Sequence, residues 1–364
     1  MEVITLDGSL GEGGGQILRT ALSFSMLTKK PFRIVNIRKN RTEPGLKAQH
    51  LAAVDFLVKN SSSKAIGAEI GSSELSFFPG EWKGILRNSD IGTAGSITLF
   101  LQSVLLPLMF SKKCSFSVTG GTDVAWSVPA STFSEAVLPF FRKYAKIDFR
   151  LIKRGYYPKG GGVVELSILP KILLSDFSSF EEFLEEARKL GRIKLSERGL
   201  LVAIRGESHA SADLQGKKVA ERQASAAALE LKDAGCHVEI SSSYSPSEST
   251  GSGISVYALY SQPGSSEFDV NQPIILASDV LGERGKPAER VGFQASQKLI
   301  SELSSGCACD SLLADQLIPL LALFGGEIRA ERISEHLKSN VAVAEAFLGK
   351  HFEIDEKEGI VRAL

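Results

Sequence analysis

Between positions 7 and 20 the chain reads Asp-Gly-Ser-Leu-Gly-Glu-Gly-Gly-Gly-Gln-Ile-Leu-Arg-Thr, five glycines around one carboxylate, Glu12. Clustered glycines let backbone N–H groups approach an anion, and a helix start behind them adds partial positive charge. Glu12 inside such a loop suggests a metal ion riding on that anion. Two familiar phosphate loops are excluded. A Walker loop requires Gly-Lys-Ser/Thr where this chain has Gly-Gly-Gln, and the spacing of the dinucleotide-binding fingerprint is not met. Taken alone, the stretch leaves a phosphate cradle and an ordinary glycine turn both open. Arg19 lies just behind it, and Arg33, Arg38, Lys39, Arg41 and Lys47 follow. These bases read either as a local phosphate site or as a solvated face.

Among the histidines, His209 and His237 have no acidic partner at a recognisable spacing, and His351 precedes a short strand; all three read as surface or core residues. His336 stands at the entrance to a helix whose apolar stripe is Leu337, Val341, Ala344 and Phe347/Leu348. Its ring falls off that stripe, near a helix N-terminus that favours an anion. A lone histidine there can equally be structural. Asp315 and Gln316 interrupt the otherwise apolar run Leu312, Leu313, Leu317, Leu320, Leu321 and Phe324, and Gln102 interrupts Leu99 to Val104 in the same way. Such groups are costly to bury unpaired. They either bond to neighbouring backbone within a core or, with Gln16 and Arg19, line a cleft shared by equivalent helix ends. The recurrence favours the cleft.

The elements that would position these residues repeat. Apolar helices are expected at Gly13 to Leu27, Gly95 to Phe110 and Asp310 to Phe324, each followed by a second helix: Leu46 to Val58, Ser131 to Tyr144, and Glu335 to Leu348. Strand-like runs such as Arg33–Ile37, Ser115–Thr119, Asp148–Ile152, Val163–Ile168 and Phe352–Ile354 lie between and after them. Two helices plus several strands per unit predict an α/β (α+β) architecture of helices layered on sheets. The middle reads differently, as one compact strand–helix–strand unit with a mobile Ser/Gly-rich turn at Ser241–Gly253. The expected division is 1–174 for the first two repeats, 175–273 for an inserted smaller domain, and 274–364 for the third repeat.

Composition sets limits. The chain has 364 residues, enough for two domains, and a formal charge of zero, which does not advertise general nucleic-acid binding. No apolar run is long enough to span a bilayer, so no membrane partner is expected. The chain opens directly on a strand-like run without a basic-then-apolar leader, which points to the cytoplasm. Cys114, Cys236, Cys307 and Cys309 are too scattered for a disulfide framework, and Cys307-Ala-Cys309 lacks a second Cys/His pair.

Read together, these motifs resemble the RNA 3'-terminal phosphate cyclase family, in its catalytic branch and of archaeal or bacterial type. The resemblance rests on Gly11-Glu12-Gly13-Gly14-Gly15-Gln16-Ile17-Leu18-Arg19 and Arg41-x-x-Pro44-Gly45-Leu46-x-x-Gln49-His50. It continues through Ala94-Gly95-Ser96 with Gln102, Gly120-Gly121-Thr122-Asp123, and Tyr157-Pro158-x-Gly160-Gly161-Gly162. Glu197-Arg198-Gly199, Val219-Ala220-Glu221-Arg222, Ala314-Asp315-Gln316-Leu317, and His336 before Asn340-Val341-Ala342 complete it, so it runs essentially end to end.

The resemblance implies a large domain of repeated βαβαββ units around a common core, with a smaller inserted α/β domain. It implies ATP-dependent conversion of an RNA 3'-terminal phosphate to a 2',3'-cyclic phosphate, through a covalent histidyl-AMP and an RNA(3')pp(5')A intermediate. By the match His336 is the nucleophile and Glu12 the ligand of a divalent metal, Mg2+ or Mn2+. Arg19, Arg38 and Arg41 match phosphate-contacting positions. Gln102 and the run Leu312, Leu313, Ala314, Asp315 and Gln316 match nucleotide-binding ones, with Gln49 and His50 beside the cleft. Leu312 departs from the family, which often has an aromatic residue there to stack on adenine. The implied partner is RNA ending in a 3'-phosphate, and a homo-oligomer is left open. The rival from another class is a non-catalytic, cyclase-like ribosome-assembly or RNA-binding factor, against which His336 and Glu12 count. No motif supports an enolpyruvyl-type transferase, and no Lys-x-Asp-Gly supports a lysine-based nucleotidyl transferase. The Phe177–Leu190 segment has no assignment.

Overall fold

The computed structural model describes residues 2–84 and 86–364. A single strand order recurs three times. The first unit comprises β1 (Ile4–Asp7), α1 (Gln16–Thr28), β2 (Phe32–Val35), α2 (Ala48–Asn60), β3 (Lys64–Ile66) and β4 (Leu75–Phe78). Its sheet runs β1-β2-β4-β3, with β1 and β2 parallel across the α1 crossover and the other pairs antiparallel. The second unit begins with β5 (Ser89–Asp90), α3 (Ile97–Leu108) and β6 (Cys114–Gly120). Its second helix is α4 (Ala130–Thr132), a π turn at Phe133–Val137 and α5 (Leu138–Arg142), before β7 (Ala145–Lys153) and β8 (Gly162–Pro170). The order β5-β6-β8-β7 repeats the first, down to which neighbours are parallel.

The third unit is split. After α6 (Phe180–Arg188) and β9 (Ile193–Leu195) comes a separate module: β10 (Leu201–Ser211), α7 (Val219–Leu231), β11 (His237–Ser245), β12 (Ser252–Tyr260), β13 (Ile274–Leu281) and α8 (Ala288–Ser305). The repeat then resumes with α9 (Ser311–Phe324), β14 (Gly326–Arg329), α10 (Glu335–Leu348), β15 (Phe352–Asp355) and β16 (Ile360–Ala363). β9 pairs parallel with β14, giving the order β9-β14-β16-β15 once more. The module has its own sheet, β11-β10-β12-β13, with α7 and α8 packed on each other and on its strands.

These pairings depart from the expected boundaries. A cut at 175 would remove β9 from the third repeat, and a cut at 273 would strip β13 and α8 from the inserted sheet. The module interrupts the third βαβαββ unit between its first strand and first helix, rather than lying between two repeats. Ser241–Gly253 is also corrected. Its first half is strand, with Ser241 to Ser245 in register beside Glu207 to Ser211, and only the residues before Ser252 turn. Small hydroxyl side chains suit this edge strand because they bond across it, as Ser243 does to Glu207 at 3.0 Å.

The crossover helices fold as their sequences dictate. α1 is buried over nearly its whole surface and ends where Lys29 turns left-handed, at φ 59°. Ser96, Asp310 and Ser334 cap α3, α9 and α10 by accepting the N–H of Leu99, Leu313 and Leu337. α1 packs on α3 and α10, and α10 on α9, so all three repeats share one core. Tyr144 stacks on Phe324 with ring centroids 3.6 Å apart, while Phe183 of α6 inserts against Phe110 at 5.1 Å. The unassigned Phe177–Leu190 segment is thus the plug over the ends of α3 and α9. Cys307 and Cys309 are buried free thiols. No described helix is long and apolar enough to cross a membrane.

A buried ionic hub joins the module to the second repeat. Arg154 places Nη1 3.0 Å from both carboxylate oxygens of Asp123 and Nη2 2.7 Å from Glu207 on β10. His209 completes it, with Nε2 3.2 Å from Asp123 and Nδ1 2.8 Å from the Tyr156 hydroxyl. His209 therefore has an acidic partner, one that only the fold brings near.

Candidate active site

α1, α3, α9 and α10 all line one cavity of about 340 Å³. Its polar wall is a relay with one side chain from each repeat. Arg19 Nε donates to Gln102 Oε1 at 2.7 Å, and Gln102 Nε2 donates to Gln316 Oε1 at 2.6 Å. Arg19 is only 8% exposed, and it forms no ion pair among the described residues. Burial pulls its pKa down to about 9, with the charge of Arg38 adding to the effect. A buried cation without a counter-ion is unfavourable and draws an anion.

Two further groups beside Arg19 want a partner. His50 Nδ1 accepts the N–H of Lys47 at 3.1 Å, so in the neutral ring Nε2 carries the proton. That Nε2 is buried without a hydrogen-bond partner among the described residues, as are both ends of the Gln16 carboxamide. Burial drives the His50 pKa down to about 3, with Arg19, Arg38 and Lys47 reinforcing it. A Cβ on Gly15 would lie 2.2 Å from His50 Nε2 and 2.8 Å from Arg19 Nη1, so only glycine lets both approach the start of α1. Unsatisfied donors gathered at a helix N-terminus form an anion cradle.

His336 is the second residue of α10 and faces the same cavity, about a third exposed. Its Nε2 sits 3.0 Å from Glu12 Oε2, and Arg41 Nη2 lies 3.0 Å from the same oxygen. The Glu12 pKa is lowered, first by the His336 hydrogen bond and further by the Arg41 contact. Ser334 donates to Asp315 Oδ1 at 2.5 Å, and Asn340 bridges Thr20 Oγ1 at 2.7 Å to the Asp315 carbonyl at 3.2 Å. Burial raises the Asp315 carboxyl to about 6. Leu105, Phe133, Phe141, Leu312 and Pro319 add an apolar part to the same lining.

The structure thus gathers His336, Arg19, Gln102, Leu312, Asp315 and Gln316 around one space, and links Glu12 and Arg41 to it through His336. The other expected residues stand elsewhere. Leu313 and Ala314 are fully buried in the core and do not line the cavity, because the helical turn points them away from Asp315. Gln49 accepts the Ser96 N–H at 3.1 Å and ties α2 to the start of α3. Arg38 folds back on the carbonyls of Glu43 and Gly45, at 2.7 and 3.3 Å. His50 lies behind Gly15, outside the cavity lining. No group of three or more His, Cys, Asp or Glu among the described residues is placed to hold a metal ion. Glu12 Oε1 carries no hydrogen bond among them, so Glu12 fits a divalent cation only as one ligand completed by phosphate oxygens and water.

The family model for RNA 3'-terminal phosphate cyclase matches residues 10–354. A curated RNA 3'-terminal phosphate cyclase from Pyrococcus furiosus is 44% identical over 97% of this chain and 95% of its own. The proteins of that name from Pyrococcus abyssi and Archaeoglobus fulgidus are 42% and 41% identical, covering 98% and 99% of this chain and 96% and 100% of their own. The chain belongs to the RNA 3'-terminal phosphate cyclase family.

Several cavity residues had no role in the sequence reading, among them Asp279, Asn340 and Trp126. Asp279 comes from β13 of the inserted module, and burial raises its carboxyl to about 6. Its signal was legible, since a carboxylate between Ser278 and Val280 interrupts a strand as Asp315 interrupts its helix. Asn340 stood in a quoted motif without a role. Trp126 could not be found, because its position depends on a left-handed backbone at φ 66°.

Proposed function

We propose that this chain is an ATP-dependent RNA 3'-terminal phosphate cyclase working through a covalent adenylate on His336. The observation that carries this reading is the placement of His336 on the first turn of α10, in one cavity with the buried Arg19, which has no counter-ion among the described residues. The fit to a nucleoside triphosphate is supported by the cavity's lining: Arg19 and the Gln16 carboxamide at the start of α1 suit phosphates, and the apolar residues suit a base.

In this reading the imidazole lone pair forms a bond to the α-phosphorus and pyrophosphate leaves. Glu12, 3.0 Å from Nε2, orients the ring, and Arg19 and Gln16 offset charge on the phosphoryl oxygens. The RNA 3'-phosphate then attacks the same phosphorus and displaces His336, giving RNA(3')pp(5')A. The vicinal 2'-hydroxyl attacks the 3'-phosphorus, loses its proton and expels AMP, which closes the ring; intramolecular attack needs mainly orientation. A divalent ion held by Glu12 would supply further charge neutralisation on the phosphates. Asp315, tied to Ser334, holds the first turn of α10 in place. Partnership of His336 with Glu12 favours this reading over a non-catalytic binding factor.

RNA ending in a 3'-phosphate should be cyclised with ATP, whereas RNA ending in a 2'-deoxy 3'-phosphate should stall as the adenylylated end. Equal release of AMP from both substrates would contradict the 2'-hydroxyl step.

A further inference from the structure

Trp126 is 97% exposed, yet it belongs to the lining of the His336 cavity. Its backbone is left-handed, at φ 66°, which is unfavourable for a bulky side chain and persists only where neighbours over-determine it. They do so here. The Ala130 N–H bonds to the Thr122 carbonyl at 2.9 Å and closes the loop, while Val124 and Val128 are buried. Ser127 Oγ donates to the Val124 carbonyl at 2.9 Å, and Thr98 Oγ1 to that of Val128 at 2.7 Å. Asp123 is locked by Arg154 and His209. A pinned loop therefore holds a bare indole at the cavity mouth, almost wholly exposed to solvent.

We propose that Trp126 is the stacking platform for the 3'-terminal base of the RNA, a positioning residue for the steps after adenylate transfer. The inference rests on the cyclase reading above. The mononucleotide's base has the apolar wall of Phe133, Phe141 and Leu312 inside the cavity, whereas RNA must approach from solvent, where the indole stands. An aromatic face accepts any of the four bases, which suits an enzyme acting on an end rather than on a sequence. Base–indole contact would fix the terminal ribose, and with it the 2'-hydroxyl, over the activated phosphate.

The test compares Trp126→Ala and Trp126→Phe with the unaltered chain, in self-adenylylation with labelled ATP alone and in cyclisation of RNA 3'-phosphates with a normal or an abasic 3'-terminal nucleotide. The expected result is unchanged adenylylation in both variants. For normal RNA, KM should rise roughly 5- to 100-fold in Trp126→Ala, with Trp126→Phe near the unaltered value. The unaltered chain should lose the same factor on abasic RNA, and Trp126→Ala should lose nothing more. Unchanged RNA kinetics in Trp126→Ala, or additive losses on abasic RNA, would overturn the platform. A rise confined to the KM for ATP would move the stack to the mononucleotide and overturn it equally. Absence of label on the unaltered chain would instead overturn the cyclase reading beneath it.

Discussion

Arg19 concentrates the electrostatics of the cavity in one side chain. It is buried, hydrogen-bonded to Gln102, and without a counter-ion among the described residues, so the folded chain carries an unfavourable charge that a bound phosphate would relieve. Function and stability should therefore respond in opposite directions. Arg19→Gln is expected to lower adenylylation by about 100-fold or more while leaving the denaturation midpoint unchanged or raised. A large loss of stability would show that Arg19 is a structural cation instead. His50 makes a pH-dependent prediction. The unfolded chain takes up a proton near pH 6.5, but the folded chain resists until about 3. The contribution of neutral His50 is thus complete above pH 6.5 and declines as pH falls toward 3, by about 1.4 kcal/mol per pH unit. In urea titrations, His50→Gln should flatten the acid limb of the stability profile; an unaltered slope would contradict the burial argument.

At the scale of elements, α6 shows how an unassigned segment acquires a role. Its Phe183 ring fills the space against Phe110, and Arg188 Nε donates to the Leu323 carbonyl at 3.1 Å, so α6 closes the ends of α3 and α9. Phe183→Ala should cost about 3–5 kcal/mol in chemical denaturation, and a cost below about 1 kcal/mol would make α6 an ornament. The crossover helices were legible because a dozen apolar residues with a few polar interruptions is a strong signal, and Gln102 and Gln316 are those interruptions. The insertion point was not legible. β9 is three residues long, and its pairing with β14 is a contact across more than a hundred positions that no local pattern encodes. β13 was hidden differently, since periodicity reveals a strand but not the sheet it joins. Leu313 and Ala314 share a motif with Asp315, yet one turn of helix divides core from cavity.

The molecule as a whole is three copies of one βαβαββ unit whose crossover helices point polar side chains at a common centre. The inserted module reaches that centre as well, through Asp279. Its seat on the second repeat is the Asp123–Arg154–Glu207 hub, where one buried cation serves two carboxylates. Arg154→Met takes the cation from both, leaving Asp123 to His209 and Glu207 to the hydroxyls of Ser131 and Ser243, and should lower stability by about 3–5 kcal/mol, with the inserted module uncoupling from the repeats in hydrogen exchange. Uniform protection across both parts would contradict a role for the hub in joining them. The same convergence puts Glu12 and His336, at opposite ends of the sequence, 3.0 Å apart. In the reading proposed above, this pairing serves a nucleophile. That role is tested most directly by incubating the chain with α-labelled ATP and a divalent metal. Acid-labile, base-stable label is predicted on the protein and is predicted to vanish in His336→Ala. An unlabelled wild-type chain, or label that survives in His336→Ala, would contradict it.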